Sequence, residues 1–205
     1  MNKQAHWQSV YEAKAPTEMS WFRAHLDASL ALIERVAPNR SARIIDAGGG
    51  ESTLVDDLLA RGYLDVTVMD IAPSAIEHCK KRLGSHSHSV RWLVGDVTRR
   101  EFQRGWFDVW HDRAVFHFLT DPMERESYVR SVLNAVRPGG HVIVSTFGPK
   151  GPTKCSGLDV VRYDAESLHR EFGKRFRIEE STVELHQTPW GSGQQFVYCC
   201  CRIDG

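Results

Sequence analysis

The chain has 205 residues, 41% hydrophobic and 25% charged, with 26 basic against 26 acidic residues and a formal net charge of +0. That length carries one ordinary domain with a core that needs no covalent staples, and the balanced charge lacks the field that gathers polyanions, which argues against non-specific nucleic-acid binding. No apolar run approaches the roughly 18–20 residues of a membrane span, and residues 1–6 carry no apolar signal core, so a cytoplasmic protein with no nucleic-acid or membrane partner is expected.

In chain order, Trp21–Val36 places Phe22, Leu26, Leu30 and Ile33 at helical spacing and ends before Pro38. Ala42–Asp46 reads as a short strand running into Gly48-Gly49-Gly50. Ser52–Arg61 reads as a helix with Leu54, Leu58 and Leu59 on one side and Gly62 as its stop. Asp65–Asp70 is the second strand, and Pro73–Leu83 a helix opened by proline and closed by Gly84. Ser89–Val94 and Phe107–His111 are the third and fourth strands. Asp121-Pro122 opens a helix ending near Val136, and Pro138-Gly139-Gly140 makes a turn. His141–Phe147 is a continuous apolar strand, as in a sheet covered on both faces. A helix over Asp164–Phe172 and two long strands, Phe176–His186 and Gln194–Arg202, complete the pattern.

Five β–α alternations followed by a hairpin predict an α/β fold: a mainly parallel seven-stranded sheet with helices on both faces and a C-terminal antiparallel hairpin. Within one domain, residues 1–40 form an N-terminal helical cap, 41–150 a cofactor-binding core, and 151–205 a substrate-side helix and hairpin. The five cysteines, Cys79, Cys155 and Cys199–Cys201, are odd in number and lack C-x-x-C spacing, so reduced thiols and no metal site are expected.

Ligands on such sheets bind beyond the carboxyl ends of the strands. There the first strand ends Asp46-Ala47-Gly48-Gly49-Gly50-Glu51-Ser52. Glycines let the backbone turn sharply and approach a ligand, and the next helix offers free N–H groups at its start. Asp70 ends the second strand, where an acid grips ribose hydroxyls. Asp96 follows the third, where it or its neighbouring amides can hold an adenine amino group. Thr53 stands where a dinucleotide loop has its third glycine. Asp46 and Glu51 would repel a pyrophosphate and suit a ligand with an ammonium and a sulfonium. No Gly-Lys-Ser/Thr follows, which excludes a P-loop.

These segments, together with Val68-Met69-Asp70-Ile71, Gly95-Asp96-Val97 and Arg137-Pro138-Gly139-Gly140, resemble the class I S-adenosylmethionine-dependent methyltransferases over about residues 40–150. Ser52 departs from the last glycine of that family's loop. The resemblance implies S-adenosylmethionine as cofactor and S-adenosylhomocysteine as product. It implies that Asp46 with Gly48, Gly49 and Gly50 holds the methionine part, that Asp70 holds the ribose, that Ile71 and Val97 sandwich the adenine, and that Asp96 binds its amino group.

On the substrate side, His111, Asp112, Arg113 and His117 supply base, acid and cation among aromatic residues and are the expected catalytic set, with His111 also beside the cofactor. Arg113 would suit an acidic or thiolate acceptor. Trp7, Tyr11 and Trp21 precede the first strand and either lid the cofactor, where aromatic faces suit a sulfonium, or belong to a helix packed on the sheet. Cys155 and the loop His186–Gly191 are candidate linings of the acceptor pocket. Asp112-Arg113-Ala114 with the Tyr128 helix resembles thiopurine and thiol methyltransferases. Trp7-x-x-x-Tyr11 followed by Ser20-Trp21-Phe22 resembles small protein-lysine methyltransferases. The expected activity is methyl transfer to a small molecule, a thiol or carboxylate, by a monomer or homodimer. The alternative is a protein lysine.

Overall fold

The computed structural model describes residues 2–205. Its strands are β1 (Arg43–Ala47), β2 (Asp65–Asp70), β3 (Val90–Val94), β4 (Phe107–Arg113), β5 (Val136–Phe147), β6 (Lys154–Cys155), β7 (Leu158–Asp159), β8 (Phe176–Gln187) and β9 (Gly193–Ile203). Its α-helices are α1 (Lys3–Ala13), α2 (Asp27–Val36), α3 (Leu54–Ala60), α4 (Pro73–Leu83), α5 (Pro122–Ala135) and α6 (Ala165–Phe172). Seven strands form one sheet in the order β3-β2-β1-β4-β5-β9-β8, and β6 with β7 makes a separate ribbon. β1 through β5 are parallel, while β9 runs antiparallel to both β5 and β8. The chain steps outward from β1 to β3 and then returns to β4 beside β1, which opens a crevice at the carboxyl ends of those two strands.

Strand alternation sends successive apolar residues into two layers. Ile44, Val109 and Ile143 pack under Leu30 and Ile33 of α2 and Leu54 and Leu58 of α3. Ile45, Trp110, Val142 and Val144 pack under Tyr128 and Val132 of α5 and Leu168 and Phe172 of α6. A third, smaller cluster joins Tyr11 and Met19 to Ala72 and Ala75, with Trp7, Trp21 and Phe22 against it. This cluster seats α1 on α4, where Ser74 N also donates to Gln8 Oε1 at 3.1 Å.

Three boundaries differ from the sequence expectation, each for a tertiary reason. The helix expected from Trp21 begins only at Asp27. Upstream carbonyls are taken by distant side chains: Ser20 O accepts from His186 Nε2 at 2.7 Å, Trp21 O from Arg113 Nη1 at 3.0 Å and Arg23 O from Thr53 Oγ1 at 3.2 Å. β4 continues two residues beyond His111, because β5 pairs with it out to Arg113 opposite Ser145. Pro138-Gly139-Gly140 lies within β5 rather than in a separate turn, and the irregularity is absorbed by a register shift between Phe107 and Val109. The β6–β7 ribbon was not foreseen; it turns through Ser156 (φ 47) and Gly157 (φ 79).

Candidate active site

The crevice deepens into a cavity with an empty volume of about 1290 Å³, its open mouth included. Its floor is the glycine loop. Gly48 and Gly49 donate their amides to Met69 O at 2.7 and 3.0 Å, folding the loop back over β2. Gly48 has φ 73, and a side chain there would fall on Val115, so the position needs glycine on both counts. Gly50, which is not part of the cavity wall, passes against the Tyr11 hydroxyl.

One end of the cavity is acidic. Asp46, Glu51, Asp70 and Asp96 all line it. Asp46 is buried and bonds His111 Nδ1 through Oδ1 at 2.7 Å; His111 Nε2 meets Ser29 Oγ at 2.9 Å, so both ring nitrogens are engaged. Asp70 Oδ1 accepts from Ala72 N at 2.8 Å. Burial pushes the Asp70 carboxyl up to about 7, the amides of Ala72 and Gly50 opposing only part of that shift. Asp96 Oδ1 accepts from Thr98 N at 2.9 Å and Thr98 Oγ1 at 2.7 Å. Ile71 and Val97 stand beside Asp70 and Asp96 in the wall. Glu51 is paired with His78 through Oε1, while its buried Oε2 has no hydrogen-bond partner.

These residues fit S-adenosylmethionine. An orphaned carboxylate oxygen on Glu51, in a cavity that Asp46 also lines, calls for a cationic donor such as an ammonium. Asp70 and Asp96 are placed for hydroxyl and amine donors. The loop lets a ligand approach the backbone. Trp7, Tyr11 and Trp21 all reach the cavity as its roof, with Trp7 edge-on to Trp21 at 6.0 Å and to Phe118 at 4.9 Å.

The expected catalytic set does not face one space. His111 and Arg113 line the cavity. Asp112 points away from it and is fully buried, accepting from Val115 N at 2.9 Å, Phe116 N at 3.1 Å and the Tyr128 hydroxyl at 2.5 Å. It holds the turn after β4, where Ala114 takes φ 71, and burial pushes its carboxyl up to about 6. His117 is likewise buried outside the wall; its Nδ1 accepts from Phe147 N at 3.2 Å. Burial, with Arg113 nearby, holds its imidazole down to about 3, so it stays neutral. Neither Asp112 nor His117 lines the cavity, contrary to the expectation that both face the acceptor; burial and their backbone bonds place them behind its wall.

Cys155 lines the cavity, and burial pushes its thiol up, which keeps it protonated. Of the loop His186–Gly191, His186 is the last buried residue of β8, whereas Trp190 is 60% exposed and lies outside the cavity. Sequence reasoning missed Met19, Phe118, Phe147 and Phe196. The last two face each other across β5 and β9, a pairing that no local pattern announces. Among the described residues, no group of three or more His, Cys, Asp or Glu side chains could hold a metal ion, and no helix is long and apolar enough to cross a membrane.

A mainly parallel sheet with a glycine loop after β1, acids at the carboxyl ends of β1 and β2 and another acid after β3 is an arrangement in which α/β folds bind nucleosides. Residues 44–140, just under half of the chain, match the family described as "Methyltransferase domain". It is 28% identical over 139 residues to the mouse eEF1A lysine and N-terminal methyltransferase, an alignment that covers 67% of this chain and 19% of that protein. The chain thus spans about a fifth of the length of that relative. It is 30% identical over 153 residues to a 2-heptyl-1-hydroxyquinolin-4(1H)-one methyltransferase of Mycobacteroides abscessus, covering 71% of this chain and 65% of that one. A solved structure from work on conversion of a disulfide bond into a thioacetal group during echinomycin biosynthesis superposes with a TM-score of 0.80 at 18% identity, over 98% of this chain and 91% of the other. That likeness is one of fold.

Proposed function

We propose that the chain transfers a methyl group from S-adenosylmethionine to a small-molecule acceptor. The observation that carries this reading is the roofing of the cavity beyond the acidic end. Trp7, Trp21 and Phe22 line it from the N-terminal segment, Phe147 and Phe196 from the sheet and Phe118 from the turn after β4. Such a space takes a compact, apolar molecule, whereas a polypeptide needs an open groove.

Bound in this site, the cofactor supplies an already activated methyl group. The chain's own residues supply position and dryness. His111 holds Asp46 in one orientation toward the cofactor's cationic end, Asp70 accepts hydrogen bonds from hydroxyls, and the aromatic roof excludes water. Away from the carboxylates of the acidic end, neither His111, with both nitrogens bonded, nor the protonated Cys155 thiol is free to take a proton from the acceptor. An acceptor that ionises by itself, a thiol or a carboxylic acid, suits this site better than an ammonium, which must first lose its proton. The name of the Mycobacteroides abscessus relative, a hydroxyquinolone methyltransferase, supports a small acceptor. The name of the mouse relative, an eEF1A lysine methyltransferase, makes a protein lysine the second reading. The setting we favour is the cytoplasm, where five free thiols are the ordinary state.

The test is to incubate the purified chain with methyl-labelled S-adenosylmethionine and a cell extract split into small-molecule and protein fractions. Label in the small-molecule fraction is the expected result. Label on a single protein band overturns the small-molecule reading in favour of lysine.

A further inference from the structure

We propose, on the reading of a small-molecule methyltransferase, that the acceptor carries an oxyanion on a flat apolar body and that Arg113 is its seat. The Arg113 side chain is 6% exposed and lines the cavity beyond the acidic end. Three contacts fix it. Nε donates to the Tyr198 hydroxyl at 3.2 Å, Nη1 donates to Trp21 O at 3.0 Å, and the guanidinium carbon lies 4.4 Å from the centre of the Phe196 ring. Nη2 is buried and has no hydrogen-bond partner. Its nearest carboxylate oxygen, Glu184 Oε2, is 4.0 Å away, beyond hydrogen-bonding reach. Glu184 is already occupied, accepting from Arg23 Nη1 at 2.6 Å and from the Tyr198 hydroxyl at 3.2 Å. A charged donor buried without an acceptor is costly, and a guanidinium edge held rigid on three sides is preorganised for an oxyanion.

The local charge count agrees. Arg113 and Arg23 face a single part-buried carboxylate, Glu184. The other partner of Arg23, Asp27, is 74% exposed and 3.6 Å away, so solvent screens it. His186, packed beside them, is held neutral by its burial and by both guanidiniums. This end therefore carries one unbalanced positive charge, while Asp46, Glu51, Asp70 and Asp96 make the cofactor end negative. An anionic acceptor is drawn to one end only, and a cationic one is repelled from it. The adjoining walls, Trp21, Phe118, Phe147 and Phe196, are aromatic and suit a planar body.

The test uses the chain saturated with S-adenosylhomocysteine and titrated with benzoate and 2-naphthoate against benzamide, 2-naphthamide and 2-naphthylmethylamine, read by calorimetry and by tryptophan fluorescence. The carboxylates are expected to bind at least tenfold more tightly than their amides, with the amine weakest. Arg113→Met should abolish that preference and Arg113→Lys should keep part of it. Both variants should hold S-adenosylhomocysteine within a few-fold of wild type, which shows that they are folded. If the cofactor product binds but the carboxylates show no advantage, or if Arg113→Met keeps the advantage, the seat is overturned and the methyltransferase reading stands. If wild type fails to bind S-adenosylhomocysteine, both fall.

Discussion

Asp70 carries two opposed duties. Its carboxyl is pushed up to about 7 by burial in the free chain, yet on the proposed reading it would have to be ionised to accept from ribose hydroxyls. Affinity for S-adenosylhomocysteine should therefore rise about tenfold from pH 6 to pH 8 and then level off, and calorimetry should find protons released on binding near pH 7. Asp70→Asn should bind weakly and with a flat pH profile. The linkage sign also sets stability. A carboxyl whose folded value is raised gives stability that is present at low pH and lost as pH climbs through the folded value. Asp70→Asn should accordingly raise the melting temperature of the free chain more at pH 8 than at pH 5. His111 acts by holding its neighbours. His111→Phe strands Asp46 Oδ1 and leaves the Ser29 hydroxyl only its 3.4 Å bond to Tyr198, an expected cost of about 1–3 kcal/mol, and weakens cofactor binding as Asp46 loses its orientation. A melting temperature and cofactor affinity both equal to wild type would refute that role.

At the scale of elements, α1 and the strap to Leu26 are added to the sheet rather than built into it. α1 is held by its small cluster with α4 and by the ion pair of Lys3 with Glu124 at 2.6 Å. Deleting residues 1–13 should leave the circular dichroism of the sheet intact while weakening cofactor binding at least tenfold, because Trp7 and Tyr11 go with it. Loss of the folded sheet would show instead that the segment is structural. The tie between β4 and α5 is of the other kind. The Tyr128 hydroxyl donates to Asp112 and accepts from Trp110 Nε1 at 2.9 Å, all in the interior. Tyr128→Phe removes both bonds without opening a large cavity, and denaturant unfolding should show a loss of about 1–3 kcal/mol.

For the whole molecule, a ligand that bridges α1, the glycine loop and three strand ends stabilises the folded state by mass action. S-adenosylhomocysteine at a hundred times its dissociation constant should add about 2.7 kcal/mol, a rise of about 5–10 °C in melting temperature for a chain of this size. NAD should give no such shift, because Asp46 and Glu51 border the loop that a pyrophosphate would have to occupy.

The sequence by itself determined the order of strands and helices, the glycine loop, and the acids Asp46, Asp70 and Asp96 after successive strands. These features are local. Apolar period, proline and glycine stops, and a carboxylate at a strand end each follow from a few neighbouring residues. What only the tertiary structure decided is which side chains of the His111–His117 stretch look into the cavity. Pairing with β5 extends β4 to Arg113, and strand alternation then turns His111 and Arg113 to one face and Asp112 to the other. Read as a strand ending at His111, the same residues form one cluster. The bend that releases Trp21 from its helix, and the meeting of Phe147 with Phe196, depend likewise on partners more than 30 residues away. No window of local sequence contains those partners.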